Sequence, residues 1–138
     1  MVEHDARVRF VLRSAAAVTL LLGVTMIAFP AEILGWFGNG GRNQHFAIYL
    51  GTALVGFSVI NWLYSNLDDL RLIRPAIYGN LASLLPATII DGVSLARGSI
   101  SSSIWLIFII HLIFVVAFFY CLRRIKHDLA PRPVKVIP

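Results

Sequence analysis

Hydrophobic and polar positions do not alternate along this chain. They separate into four long apolar runs divided by short polar stretches, and the few polar residues inside the runs recur at helical intervals. A helix rises about 1.5 Å per residue and the hydrocarbon core of a bilayer is about 30 Å thick, so roughly 20 apolar residues make one crossing. Residues 10–29, 46–67, 73–95 and 102–122 each meet that length. The pattern predicts an all-α fold: an integral membrane four-helix bundle whose consecutive helices are antiparallel, with residues 123–138 as a basic, proline-containing tail.

Lipid tails are as apolar as leucine, so membrane helices associate through small residues and interhelical hydrogen bonds. In the second run Ala47, Gly51, Leu54, Ser58, Asn61 and Ser65 alternate steps of four and three, which puts them on one helix face. That face is predicted to point inward. The first run offers Ala16, Thr19 and Gly23, the third Asn80, Ala87 and Asp91 flanked by Ser83 and Ser94, and the fourth Ile104, Phe108, His111, Val115 and Phe118. Pro86 removes one backbone hydrogen bond in the middle of the third run, so a bend is expected there.

Charge sets the direction. Arg7, Arg9 and Arg13 precede or open the first run, Arg71 and Arg74 lie between the second and third, and Arg123, Arg124, Lys126, Arg132 and Lys135 follow the fourth. Against these, Arg42 and Arg97 stand on the other side. Cytoplasmic loops retain Lys and Arg, so both termini are expected in the cytoplasm of a cell whose inner membrane the chain crosses four times. The first run is longer than a signal-peptide core and no small-residue cleavage pattern follows it, so it is read as a retained span.

Pro30 ends the first run and opens a mixed aromatic and apolar stretch expected to lie in the outer interface, followed by a flexible turn at Gly38-Asn39-Gly40-Gly41. Trp62, Tyr64 and Trp105 are read as interface anchors. The tail, with Pro131, Pro133 and Pro138, is expected to be extended.

Composition agrees with this reading. Of 138 residues 58% are hydrophobic and only 14% charged, with a mean hydropathy of +0.79, values outside the range of soluble domains. The net charge of +5 flanks apolar runs, so its expected partner is anionic lipid headgroup, at Arg123, Arg124 and Lys126, and not nucleic acid. The single cysteine, Cys121, is taken as a packing residue. No zinc-like Cys/His spacing, glycine-rich phosphate loop or nucleophile elbow occurs, so no metal, cofactor or catalytic residue is assigned.

The buried polar residues are the candidates for chemistry. Counted from the ends of the runs at about 1.5 Å per residue, Asn61 and Asn80 lie roughly 9 and 12 Å from the cytoplasmic side. Their runs are joined by a short turn, so the two amides are expected to bond, a clamp of about 1 kcal/mol. Asp91 lies roughly 6 Å below the outer surface, where a carboxylate needs a partner, protonation or water. His45, Arg42 and Arg97 are its expected partners. His111, roughly 14 Å deep, is matched with Thr19 or Thr25. Asp91, His111, Asn80 and Asn61 are thus the ligand-binding or proton-handling candidates, and Asn61, Asn80, His45 and Arg97 the structural pairing set.

Phe29-Pro30-Ala31-Glu32-Ile33-Leu34-Gly35-Trp36-Phe37-Gly38, closing the first run, and Gly51-Thr52-Ala53-Leu54-Val55-Gly56-Phe57, in the second, resemble the DoxX-like group of small four-helix bacterial membrane proteins. The resemblance covers about the first half of the chain. It implies an accessory membrane subunit, since some members of that group are associated with quinone-linked oxidation of sulfur compounds. No catalytic motif of that group can be placed on numbered positions here.

Three functions fit the sequence. Inward polar stripes without catalytic motifs favour an accessory subunit, in a homo-oligomer or beside a partner membrane protein, or a bundle binding a lipid-like molecule. An enzyme or redox component would use Asp91 and His111 to exchange protons with a hydrophobic substrate such as a quinone. A transporter would need a dimer and would couple to protons through Asp91.

Overall fold

Each of the four apolar runs becomes a helix, and the Pro30 stretch adds a short fifth. The computed structural model describes residues 2–36, 44–98 and 104–128, with side chains over 6–36, 44–98 and 105–126. In chain order the elements are α1 (Val2–Ala28), α2 (Pro30–Trp36), α3 (Gln44–Ser65), α4 (Leu70–Ala96) and α5 (Ile104–Asp128), with no strand among the described residues. Four segments, Ala6–Ala28, Gln44–Ser65, Leu70–Ala96 and Trp105–Lys126, are long and apolar enough to cross a membrane. Between 17% and 28% of the most apolar window of each is buried inside the protein, so most of that surface requires a hydrocarbon solvent.

The helices associate in two pairs, α1 along α3 and α4 along α5. The contacts of α1 with α5 and of α3 with α4 are limited, and α2 folds back on α1 and α3. Small residues set the first pair. A Cβ built on Gly23 would fall 2.7 Å from the Gly51 carbonyl oxygen, and one on Gly51 would fall 2.7 Å from that of Gly23. The two backbones touch directly, as small residues permit in lipid. Further along the same seam the Ser58 hydroxyl donates to the Ala16 carbonyl at 2.8 Å, and Arg13 donates to the Asn66 side chain at 3.1 Å. The face expected to point inward does so: Ala47, Gly51, Ser58, Asn61 and Ser65 are the buried residues of α3.

The α3–α4 connection is a turn from Asn66 to Asp69. The Asp69 carboxylate caps α4 by accepting the Arg71 backbone N–H at 2.8 Å. The main core lies at this end of the molecule and joins the two pairs: Val8 and Leu12 of α1 meet Ile73 and Ile77 of α4 and Phe118, Cys121 and Ile125 of α5. Toward the other end a smaller cluster of Met26, Ile33, Leu34 and Ala47 ties α2 to α1 and α3 but leaves α4 and α5 out. Helix α4 continues through both Pro75 and Pro86.

Two of the boundaries that differ from expectation have a clear local cause. Helix α5 runs through Asp128, so Arg123, Arg124 and Lys126 sit on a helix and not in an extended tail. The apolar i,i+4 contacts of Cys121 and Ile125 with the core hold that last turn in place, and the prolines that break helices come only later. Helix α4 begins at Leu70, three residues before its apolar run, because Asp69 supplies the cap. The Gly38-Asn39-Gly40-Gly41 turn, Arg42 and the tail from residue 129 lie outside the described residues.

Candidate functional site

Because the pairs are joined by core at one end only, they leave an open cavity of about 980 Å³ between them. It extends from Asn80 and Phe114, next to the main core, up to Trp36 and Trp105, and four long helices and α2 contribute to its wall. The wall is mainly aliphatic and aromatic, with Leu22, Leu54, Phe57 and Ile110 among its members. Leu21 on α1 is 71% exposed and Leu106 on α5 is 66% exposed, so the cavity opens sideways through the gap between those helices. Trp105 stands edge-on to Phe108 near this opening, ring centroids 5.9 Å apart.

At the closed end two amides interlock. Asn61 Nδ2 donates to Asn80 Oδ1 at 3.1 Å, and Asn80 Nδ2 donates back to Asn61 Oδ1 at 2.6 Å and to the Ala76 carbonyl at 2.7 Å. Both are buried. Both Asn80 amide hydrogens are therefore engaged, and this residue floors the cavity without offering it a donor. The pair is also the main polar link between α3 and α4, where apolar contact is sparse.

Further up the wall, His111 Nδ1 lies 2.8 Å from Asp91 Oδ2, with both side chains about one-fifth exposed. His111 lines the cavity, and Asp91 stands behind it on α4, off the wall. Gly92 lets α4 approach α5 here, since a Cβ on it would fall 3.2 Å from the Phe108 ring. A carboxylate at this distance accepts from an Nδ1–H and fixes the ring's orientation.

This pairing corrects two expectations. Asp91 bonds neither to His45, which is exposed at the start of α3, nor to Arg97, which is exposed beyond the end of α4; Arg42 lies outside the described residues. His111 bonds to neither threonine: Thr19 donates to the Ala15 and Ala16 carbonyls and Thr25 to that of Leu21, each satisfied within its own helix. The depth count misled because it began the last run at Ser102. Measured from Trp105, where the apolar helix begins, His111 is about 9 Å deep, and Asp91 is about 7.5 Å from Ala96, so the two lie level.

The basic side chains gather at the end holding the α3–α4 turn. Arg9 pairs with Asp68 at 3.3 Å, Arg13 lies over the Trp62 ring, and Arg124 donates through Nε to the Tyr120 hydroxyl at 3.1 Å. Arg123 and Lys126 are exposed on the last turns of α5. The cavity itself was not visible in the sequence. Its signal was the mismatch between the small, close-fitting faces of the first two runs and the bulky face of the fourth.

Comparison with protein-family models, with curated proteins and with solved structures gives no match to this chain.

Proposed function

We propose that this chain is a multi-pass membrane protein that holds a hydrophobic, lipid-like molecule between its two helix pairs. The observation that carries this reading is the cavity: about 980 Å³, at the upper end of the roughly 300–1,000 Å³ typical of ligand sites. Its aliphatic wall, its side opening between α1 and α5 and its few polar groups suit a molecule that enters from the bilayer and is oriented by one hydrogen bond. The chain would serve to bind or present this molecule and not to transform it.

The test is to fill the space. Ala87, half-buried on the wall of α4, is replaced by tryptophan, and lipid co-purifying with the protein is counted by native mass spectrometry. Wild-type protein is expected to retain lipid-like adducts through detergent exchange, and Ala87→Trp to lose most of them while keeping its helical circular dichroism. Equal retention would remove the cavity from consideration.

In the same proposal the four spans run antiparallel to their neighbours, with both termini in the cytoplasm. The contact register of α1 and α3 supports this: Arg9 with Asp68, Arg13 with Asn66, Ala16 with Ser58, Gly23 with Gly51. So does the gathering of basic residues at one end, by the positive-inside rule. With Cys121 buried in the core, Ala96→Cys is expected to react with an impermeant maleimide on intact cells, and Asn66→Cys only after lysis. The reverse pattern would invert the topology.

A second reading draws on the Asp91–His111 pair. A histidine on the wall of an apolar cavity, backed by a carboxylate, has the groups needed to exchange a proton with a hydrophobic redox substrate such as a quinone. It shares the cavity with the first reading and predicts in addition that Asp91→Asn abolishes turnover while leaving binding intact.

A further inference from the structure

Which molecule the cavity takes is written in its unused hydrogen-bonding capacity. Three polar groups on the wall are already committed. Thr19 and Thr25 donate to carbonyls of their own helix, and Asn80 spends both amide hydrogens on Asn61 and Ala76. Below the rim, where Trp36 and Trp105 carry their indole N–H groups, two groups on the wall have no partner among the described residues: Nε2 of His111 and the hydroxyl of Ser83. These lie on different helices, and only the histidine is held by a second residue.

That restraint decides the chemistry. Asp91 Oδ2 at 2.8 Å is placed to accept from Nδ1, and a neutral imidazole that donates from Nδ1 presents a bare Nε2 lone pair at its other edge. Below the indole N–H groups of Trp36 and Trp105 at the rim, the wall therefore shows an occupant a fixed acceptor and, apart from the rotating Ser83 hydroxyl, no free donor. In an apolar surrounding an acceptor left without a donor is unfavourable, whereas filling it gains a hydrogen bond, a stronger one where the acceptor is polarised by a carboxylate behind it.

We infer that the occupant is an amphiphile bearing a hydroxyl group on a bulky apolar body, an alcohol or phenol and not an ester, ether or ketone, and that its O–H donates to His111 Nε2. Asp91 is a positioning residue, which fixes the ring and its tautomer without touching the ligand. This inference rests on the cavity being a ligand site, and it adds the class of ligand.

The experiment compares two molecules that differ in whether their oxygen carries a proton or a methyl group. Full-length protein in nanodiscs is titrated with tritiated 4-octylphenol and with its methyl ether, 4-octylanisole, and uptake into protein-free nanodiscs is subtracted. The phenol is expected to bind about tenfold more tightly, the equivalent of about 1.4 kcal/mol. His111→Phe is expected to bind both to a similar extent, and Asp91→Leu to lose most of the discrimination while His111 remains.

Equal binding of the two probes by wild-type protein would overturn the hydroxyl assignment and leave the cavity reading standing. Binding of neither would overturn both. Discrimination that survives in His111→Phe but disappears in Ser83→Ala would move the recognition to the serine and overturn the assignment to His111. The wild-type comparison needs no variant, so a substitution that failed to fold would not shield the inference.

Discussion

Gly51→Ala is expected to destabilise the protein by about 2 kcal/mol, within the range for overpacked interiors, while Gly56→Ala, five residues further along the same helix, is expected to be neutral or stabilising. Alanine is ordinarily better than glycine in a helix interior by about 1 kcal/mol, so the prediction at Gly51 is a reversal of sign. The reason is where the new methyl would go. At Gly51 it meets the Gly23 carbonyl oxygen at 2.7 Å and the Met26 Cβ at 3.1 Å, and backbone cannot rotate aside as a side chain can. At Gly56 nothing lies within 4 Å. To admit the methyl, α1 and α3 must separate, which lengthens the Ser58–Ala16 hydrogen bond on the same seam. Unfolding by sodium dodecyl sulfate titration, followed by circular dichroism, measures both variants. Equal effects at the two positions would mean that the helices do not meet at Gly23 and Gly51.

The second large effect is expected at the interlocked amides. Asn61→Leu and Asn80→Leu are each expected to cost about 2 kcal/mol, because each leaves a buried amide facing hydrocarbon with its hydrogen bonds unmade. The double variant is expected to cost less than the two together, with a coupling of about 1 kcal/mol. Asn80→Leu should be the worse single change, since Asn61 is the more deeply buried partner and loses both of its bonds. The same titration applied to the four proteins of the cycle gives the coupling directly, and strict additivity would show that the two residues act independently.

The sequence announces the amides and hides the Asp91–His111 pair for a geometric reason. Asn61 and Asn80 are the amides deepest within two runs joined by a short turn, so their pairing was legible although the observed bounds put them four residues from the end of α3 and ten from the start of α4. Asp91 and His111 lie on either side of a longer connection, residues 97–103, where the start of α5 could not be fixed from hydropathy: Ser101, Ser102 and Ser103 carry neither charge nor bulk. Three residues of doubt are about 4.5 Å of depth, enough to place at different levels a carboxylate and an imidazole that in fact share a hydrogen bond. The buried face of α3 was readable because small and polar residues repeat there with a clear phase. The division into pairs was not, because α4 and α5 are apolar on most sides, and in lipid an apolar side chain carries no instruction about which way to face. Chain order also misdirects, since the short turn from Asn66 to Asp69 makes α3 and α4 successive while their packing remains sparse.

The same distinction explains the misreading of the C-terminal basic cluster. Composition marks Arg123, Arg124 and Lys126 as belonging to a polar tail, but Cys121 and Ile125 beside them are fully buried against α1 and α4. A helix ends where its packing ends, not where its average hydropathy falls.

Cohesion and capacity occupy opposite ends of this molecule. The residues that lock the two helix pairs together, Leu12, Ile77 and Phe118 among them, are all remote from the mouth framed by Leu21 and Leu106. Substitutions around that mouth remove little buried surface and so draw little on the free energy of folding. Such a scaffold can be retuned toward a new cargo by changes at its rim while its foundation is left alone.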